Sequence, residues 1–188
     1  MNALFNLALA QRYAGRYDAA IASYRTVLSL SPGRSEAHSA LGMALLLKDD
    51  PNDALAEIEQ ETSDPWRMID LPLAYCALGR KADVEQAITA LIGKDAEDAP
   101  YNIAYDYAYC GESDQAFEWL DKAVQYQDPG LGEIMGENLF EKIHADPRWL
   151  PFLRKIGKAP DQLAKIPFEV RLPKAWQHAA STETTSPP

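Results

Sequence analysis

The sequence contains few of the residues that most often build metal and redox sites. It has three histidines and two cysteines among 188 residues. The histidines are far apart along the chain and none belongs to a His-x-x-x-His pair, so we expect no metal site. Cys76 and Cys110 each lie in an apolar stretch, within or at the end of a predicted helix. We interpret them as reduced, buried thiols in a reducing compartment, with a disulfide between them as the alternative.

Long apolar runs are also absent. No stretch approaches the roughly 18 apolar residues that a membrane-spanning helix needs. The apolar patch near the N-terminus has no basic region before it and no small-residue cleavage site after it, so a signal peptide is not expected. These absences predict a cytoplasmic protein that does not bind membranes.

Catalytic motifs are missing as well. Gly130, Gly132 and Gly136 lack the flanking strand and the Lys-Ser/Thr pair of a phosphate-binding loop. The chain has no Gly-x-Ser-x-Gly element of the kind that positions a nucleophilic serine. We therefore expect neither enzymatic activity nor a bound cofactor.

Negative charge is concentrated in the middle of the chain. The net charge is −10, and the basic and acidic residues sum to +3 over residues 1–34, −14 over 35–132 and +1 over 133–188. An acidic middle repels phosphate backbones, so nucleic acid is not an expected partner. It either steers a basic partner or only keeps the surface hydrated.

A repeated turn position divides the first 130 residues into units. Gly15, Asp49, Gly79 and Gly111 occupy corresponding positions, at spacings of 34, 30 and 32 residues. Each turn is flanked by two amphipathic helical patterns. This spacing predicts helix pairs over residues 1–34, 35–64, 65–96 and 97–130.

Small residues recur where the two helices of a unit would pack closely. They are Ala8, Gly42 and Ala104 on first helices, and Ala20, Ala54 and Ala116 on second helices. Pro72 lies inside the first helix of the third unit, where a proline costs about 3 kcal/mol. We expect that helix to begin near Pro65 and to bend at Pro72; a later start, capped by Asp70, is the alternative.

The first unit resembles the tetratricopeptide repeat, a 34-residue helix–turn–helix. The resemblance extends over about residues 1–130 and rests on Leu4, Leu7-Ala8, Ala20, Tyr24 and Pro32, with Gly15 at the turn. It implies an all-α, right-handed superhelix (α-solenoid) of about four helix pairs with C-terminal capping helices. It also implies a scaffold that binds a protein or peptide in its concave groove.

A narrower resemblance begins in the third unit. Several stretches are similar to the C-terminal repeats of bacterial multidomain proteins, which follow an adenylate cyclase, kinase or winged-helix domain: Leu73–Arg80, Gly111–Leu120, Asp128–Gly130 and Asp146–Trp149. Such repeats imply a docking or regulatory role. Because this chain has no effector domain, we interpret it as either a fragment or a stand-alone repeat protein.

The repeat pattern ends near residue 130. Short apolar segments and a helix opened by Asp146 and Pro147 predict capping helices over residues 131–157, so that the solenoid domain covers 1–157. Prolines and alternating apolar residues predict an extended segment over 158–176. We expect residues 177–188, which are polar, to be disordered.

The groove is the candidate site. Counting along the repeat template places ten residues on its inner surface: Phe5, Leu9, Arg12, Met43, Leu46, Ile69, Leu73, Tyr101, Tyr105 and Tyr109. A groove rich in tyrosine suits a peptide, because tyrosine offers a large contact area with little loss of entropy. In the alternative, the three tyrosines only pack against residues 131–143. A further hypothesis puts the segment 166–173 into the groove.

Two other interpretations concern partners. Chaperone-binding members of the family hold a terminal carboxylate with several basic and amide side chains; Arg12 alone does not form such a clamp, so we do not expect chaperone C-termini to bind. The alternative to peptide binding is a homo-oligomer formed through the first helix, where no preceding unit covers Leu4, Phe5, Leu9 and Tyr13.

Overall fold

The computed structural model describes residues 2–167, and these residues form an all-helical fold without strands. The predicted fold class, an all-α solenoid of tetratricopeptide type, is confirmed for this part of the chain; its handedness stays a prediction. The α-helices are α1 Asn2–Tyr13, α2 Tyr17–Leu30, α3 Ala37–Leu47, α4 Pro51–Ile58, α5 Asp64–Ala77, α6 Lys81–Asp95, α7 Pro100–Cys110, α8 Ser113–Gln125, α9 Trp149–Lys155 and α10 Pro160–Leu163. Two 3₁₀ turns, Pro129–Gly132 and Asn138–Ile143, lie between α8 and α9.

The repeated turn residues share one backbone conformation. Gly15, Gly79 and Gly111 have φ values of 70°, 69° and 86°, and Asp49 has φ 69°. A left-handed residue ends a helix and reverses the chain, which glycine does without a Cβ penalty and aspartate tolerates better than most residues. The spacing of these four residues therefore marks real helix ends.

Packing follows the repeat. Each first helix packs against the second helix of its own unit, and each second helix packs against the first helix of the next unit. The first helices also pack against one another, α1 on α3, α3 on α5 and α5 on α7. This arrangement brings the side chains of α1, α3, α5 and α7 together on one side of the repeat.

The predicted close approach in the second unit is present. A Cβ added at Gly42 would lie 2.5 Å from Ile58 Cγ1 and 3.1 Å from the carbonyl oxygen of Ala54. Ala54 is itself fully buried. Any larger side chain at position 42 would push α3 and α4 apart.

The predicted start of the first helix of the third unit, near Pro65, is confirmed. Helix α5 begins at Asp64, with Pro65 in its first turn, and continues through the buried Pro72. Proline in a first turn costs nothing, because that backbone N–H has no helical partner. Packing of α5 against α3, α4, α6 and α7 outweighs the interior proline.

The two cysteines correct the sequence interpretation. Cys76, near the end of α5, and Cys110, at the end of α7, are half-buried and form a disulfide, with their Cα atoms 5.7 Å apart. The expectation of reduced, fully buried thiols is therefore wrong. Cys76 lies three residues before the turn residue Gly79, and Cys110 lies one residue before the turn residue Gly111. The side-by-side packing of α5 and α7 brings these two helix ends together. Free thiols would have supported a reducing compartment, and the disulfide removes that support.

The chain divides into two compact units, residues 1–152 and 153–188. In the second unit the structure describes residues 153–167, which include the short helix α10. This helix lies within the segment 158–176, which we expected to be extended. The expectation is wrong for residues 160–163, because Pro160 can occupy the first turn of a helix. The predicted tail 177–188, and most of the segment 166–173, lie outside the described residues.

Candidate functional site

A segment that follows α8 contacts several of the predicted groove residues. We call residues 128–149 the return segment. Its 3₁₀ turns pack mainly on α7, and its side chains also reach α1. We call the surface that it contacts the first-helix face; this surface is formed by Arg12, Tyr13, Leu46, Tyr101, Tyr105 and Tyr109.

The predicted site residues are mostly buried. Leu9 and Tyr109 are half-buried. The other eight are buried: Phe5, Arg12, Met43, Leu46, Ile69, Leu73, Tyr101 and Tyr105. The structure brings Arg12, Leu46 and the three tyrosines to the return segment, whereas Phe5 packs on Tyr24 of α2 at 5.4 Å between ring centroids.

The return segment begins at a shared carboxylate. Asp128 accepts hydrogen bonds from the backbone N–H of Tyr101 at 3.0 Å and of Gly130 at 2.8 Å. The first bond satisfies a free N–H in the first turn of α7, and the second starts the 3₁₀ turn. Gly130 lies against the ring of Tyr101, where a Cβ would clash. The end of α8 and the start of α7 are thereby joined.

A buried ion pair joins the return segment to α1. Glu137 accepts two hydrogen bonds from the Arg12 guanidinium, at 2.9 and 3.0 Å, and the two side chains are 4% and 2% exposed. Burial alone would lower the pKa of Arg12, but the Glu137 carboxylate raises it above its ordinary value. This bidentate geometry selects a carboxylate by the position of its two oxygen atoms as well as by its charge.

An aromatic cluster holds the middle of the return segment. Phe140 is fully buried, with its ring centroid 5.4 Å from Tyr101, 6.4 Å from Tyr105 and 5.9 Å from Trp149. The two tyrosine rings meet the Phe140 ring edge to face, a favourable arrangement. Burial raises the pKa of both tyrosines, so their hydroxyls stay protonated at neutral pH.

Polar contacts hold the outer parts of the return segment. Tyr13 donates a hydrogen bond to Glu133, and Lys142 donates one to the backbone carbonyl of Tyr109. The Lys142 ammonium also lies 4.6 Å from the centroid of the Tyr109 ring. The alternative in which the tyrosines pack against residues 131–143 therefore matches the contacts of Tyr101, Tyr105 and Tyr109.

One part of the first-helix face stays open. A pocket of about 410 Å³ lies between the end of α3, Tyr109 of α7 and the second 3₁₀ turn. It is lined by Leu46, Leu47, Asp49, Tyr109, Asn138, Leu139, Glu141 and Lys142. Tyr109, which the sequence placed in the groove, thus remains accessible to a ligand from one end, whereas Leu46 lines the pocket but is buried.

Two buried carboxyl groups were missed by sequence reasoning. Asp70 on α5 and Asp106 on α7 are fully buried, and neither makes a hydrogen bond within the described residues. Burial raises the pKa of Asp70 to about 7, opposed by Ser39 and Arg12; burial and then Asp70 raise the pKa of Asp106 well above its usual range. The Ser39 hydroxyl lies near Asp70 without a hydrogen bond of normal geometry.

Helical spacing contained a signal for both carboxyl groups. Asp70 precedes Leu73 by three residues, and Asp106 follows Ile103 by three, so each shares a helix face with a fully buried apolar side chain. Because aspartate is seldom buried, this spacing does not by itself single out either residue as a core position.

The first helix offers less apolar surface than expected for self-association. Phe5 is buried, and Tyr13 is bonded to Glu133. Leu7 is 50% exposed, and Leu4 and Leu9 are half-buried. The exposed apolar surface of α1 therefore centres on Leu7.

Within residues 2–167, no group of histidine, cysteine, aspartate and glutamate side chains has an arrangement that could hold a metal ion. In the same part of the chain, every helix is too short or too polar to cross a lipid bilayer.

Comparison with known proteins agrees with the helix pairs. A family model described as tetratricopeptide repeat matches residues 12–60. The match spans the end of α1 through α4, and it supports a place in the tetratricopeptide repeat superfamily. Repeats of this kind are non-catalytic and generally mediate protein–protein interactions. No curated protein matches the chain significantly.

Proposed function

We propose that this protein is a non-catalytic scaffold that binds a protein or peptide through the first-helix face. The contacts of the return segment carry this proposal. The face already holds a short, irregular stretch of polypeptide through one bidentate carboxylate, at Arg12, and one buried aromatic side chain, between Tyr101 and Tyr105. A bidentate arginine–carboxylate pair adds geometric specificity, and a buried aromatic ring supplies a large apolar contact, so both are suited to holding a peptide.

The open pocket supports the proposal at a second point. A ligand would reach Tyr109, Leu47 and Lys142 there without any change in the fold, since these residues line the pocket. The resemblance to the C-terminal repeats of bacterial multidomain proteins supports a docking or regulatory role.

The variant that tests this function must spare the core. Tyr101 and Tyr105 are buried, so replacing them would disturb the fold as well as the face. Tyr109 is half-buried and lines the pocket. Tyr109→Ser therefore removes contact area from the face, and Tyr126→Ser is the matched control, because Tyr126 is 43% exposed and follows the end of α8.

The experiment is affinity capture from native lysate with the three proteins, followed by mass spectrometry. We expect a partner that wild type and Tyr126→Ser both retain and that Tyr109→Ser loses, with unchanged circular dichroism for all three. A partner that all three retain would assign binding to a different surface. Absence of any partner would contradict the scaffold function.

Self-association is the second candidate function, and the exposure of Leu7 favours it. Leu7→Asp places a charge on the apolar part of α1. If the protein forms oligomers, light scattering at micromolar concentration should show a larger mass for wild type than for this variant. A monomeric wild type would rule out this function at that concentration.

A further inference from the structure

We propose that the return segment is an internal ligand of the first-helix face, and that the external partner presents the same two groups. These are a side-chain carboxylate and, three residues later, a large aromatic ring (Glu-x-x-Phe or a close relative). The inference rests on the function proposed above and specifies the chemistry of its ligand.

The first subsite requires an anion. The Arg12 guanidinium is buried, and Glu137 makes its bidentate pair. Removing that carboxylate without replacing it would leave an uncompensated charge in the protein interior, which is strongly unfavourable. A partner that displaces the return segment and buries Arg12 again must therefore bring a carboxylate to the same place.

The second subsite requires a flat apolar group. Phe140 fills a fully buried position against Tyr101 and Tyr105, which both belong to α7 and not to the return segment. Their edge-to-face geometry favours an aromatic ring over an aliphatic chain of similar volume. Two other apolar side chains of the segment, Leu139 and Ile143, are buried as well.

The spacing of the two groups comes from the backbone. Glu137 caps the 3₁₀ turn Asn138–Ile143, and its carboxylate also accepts the N–H of Leu139 at 3.2 Å. A 3₁₀ helix has three residues per turn, so positions 137 and 140 lie on the same side. A partner therefore needs a carboxylate and an aromatic ring three residues apart, within a single helical turn.

Because the return segment is tethered to the chain, it competes strongly with an external peptide for the first-helix face. The return segment is attached to α8, so its effective concentration on the face is on the order of millimolar or higher. A free peptide of the same sequence cannot displace it at low concentration from wild type. Weakening the segment, while leaving Arg12 and the tyrosines intact, should expose the face to such a peptide.

The test uses a fluorescent peptide that copies residues 131–145 and a control peptide with glutamine and alanine at the positions of Glu137 and Phe140. The full-length Glu137→Gln/Phe140→Leu variant removes the charge and the aromatic ring of the internal ligand and keeps most of the side-chain volume. Asp146→Asn is the matched control protein, because it also removes a carboxylate of the segment, but one that pairs with Arg148 and does not line the open pocket. Fluorescence anisotropy measures binding, and circular dichroism confirms folding.

We expect the double variant to bind the copied peptide at least tenfold more tightly than wild type or Asp146→Asn does. The control peptide should bind the double variant at least tenfold more weakly than the copied one. Equal binding of the two peptides, or no binding to a folded double variant, would overturn the inference.

A second measurement, on wild type, tests the inference in case the double variant does not fold. Amide exchange is followed in isotopically labelled wild type with excess unlabelled copied peptide, and residues 138–143 should exchange faster when the peptide takes their place. Unchanged exchange at millimolar peptide would contradict an internal ligand. If lysate capture through Tyr109 succeeds while both peptide tests fail, the scaffold function stands and only the Glu-x-x-Phe chemistry is wrong; if capture fails as well, the proposed function fails with it.

Discussion

At the scale of single residues, buried carboxyl groups determine how the stability of this fold depends on pH. The pKa of Asp70 is raised to about 7 in the folded chain, first by burial, against an ordinary value near 4 when unfolded. The folded state therefore favours the protonated form. Its contribution to the free energy of unfolding is complete below about pH 4 and is lost as pH rises through about 7.

Asp70→Asn should consequently stabilise the protein at pH 8, by about 2 to 4 kcal/mol, with little effect at pH 4. Asparagine imitates the protonated acid and stays uncharged. Urea unfolding at several pH values measures this difference. Asp146→Asn is the control, because hydrogen bonds from Arg148 lower the pKa of half-buried Asp146 to about 2, so this variant should produce no such gain. A less stable Asp70→Asn at pH 8 would contradict the assignment.

Two helical glycines should respond to alanine in opposite directions. At Gly42 the new methyl group would meet Ile58 and the carbonyl oxygen of Ala54, so Gly42→Ala should destabilise by about 1 to 3 kcal/mol. At Gly93, in α6, an added Cβ would point into open space, with nothing within 4 Å beyond the adjoining helix backbone. Gly93→Ala should therefore stabilise by up to about 1 kcal/mol through helix propensity. Thermal unfolding compares the two, and equal shifts would be the contrary result.

At the scale of elements, the return segment is held to α1 by one buried pair. Glu137→Gln should destabilise by about 3 to 5 kcal/mol, because it leaves Arg12 charged and unpaired in the interior. The double variant Arg12→Met/Glu137→Gln should lose less free energy of unfolding than the two single variants lose together, since neither remaining side chain is charged. Urea unfolding of the four proteins in this double-mutant cycle tests the coupling, and additive losses would show that the pair is not coupled.

The elements were predicted better than their termini. The left-handed turn residues and the prolines at the starts of α4, α5 and α7 marked where helices end and begin. In α4, however, the helix ends at Ile58, although the turn sequence Ser63-Asp64-Pro65 predicts an end near Thr62. Glu61 explains the difference, because its carboxylate accepts the N–H of Ser63 at 2.9 Å and is buried in a turn before α5.

At the scale of the whole molecule, the disulfide between Cys76 and Cys110 links two adjacent units. The residues are 34 apart in sequence, and closing such a loop stabilises a fold by about 3 to 4 kcal/mol through the entropy of the unfolded chain. A reducing agent should lower the free energy of unfolding of wild type by about this amount. Cys76→Ser/Cys110→Ser should be insensitive to the reducing agent and as unstable as reduced wild type. Two free thiols in folded, air-oxidised protein would refute the pairing.

The sequence by itself determined the repeat. Turn residues at a regular spacing, small residues at helix crossings and apolar residues at helical spacing are local features, and they predict the all-helical fold and the residues on its inner side. Only the tertiary structure decided which chain segment contacts that side. The ion pair of Arg12 with Glu137 spans 125 residues, and the burial of Asp70 and Asp106 depends on helices that pack around them. Contacts of this kind leave no periodic pattern along the chain, because each depends on where distant segments meet after the helices have packed.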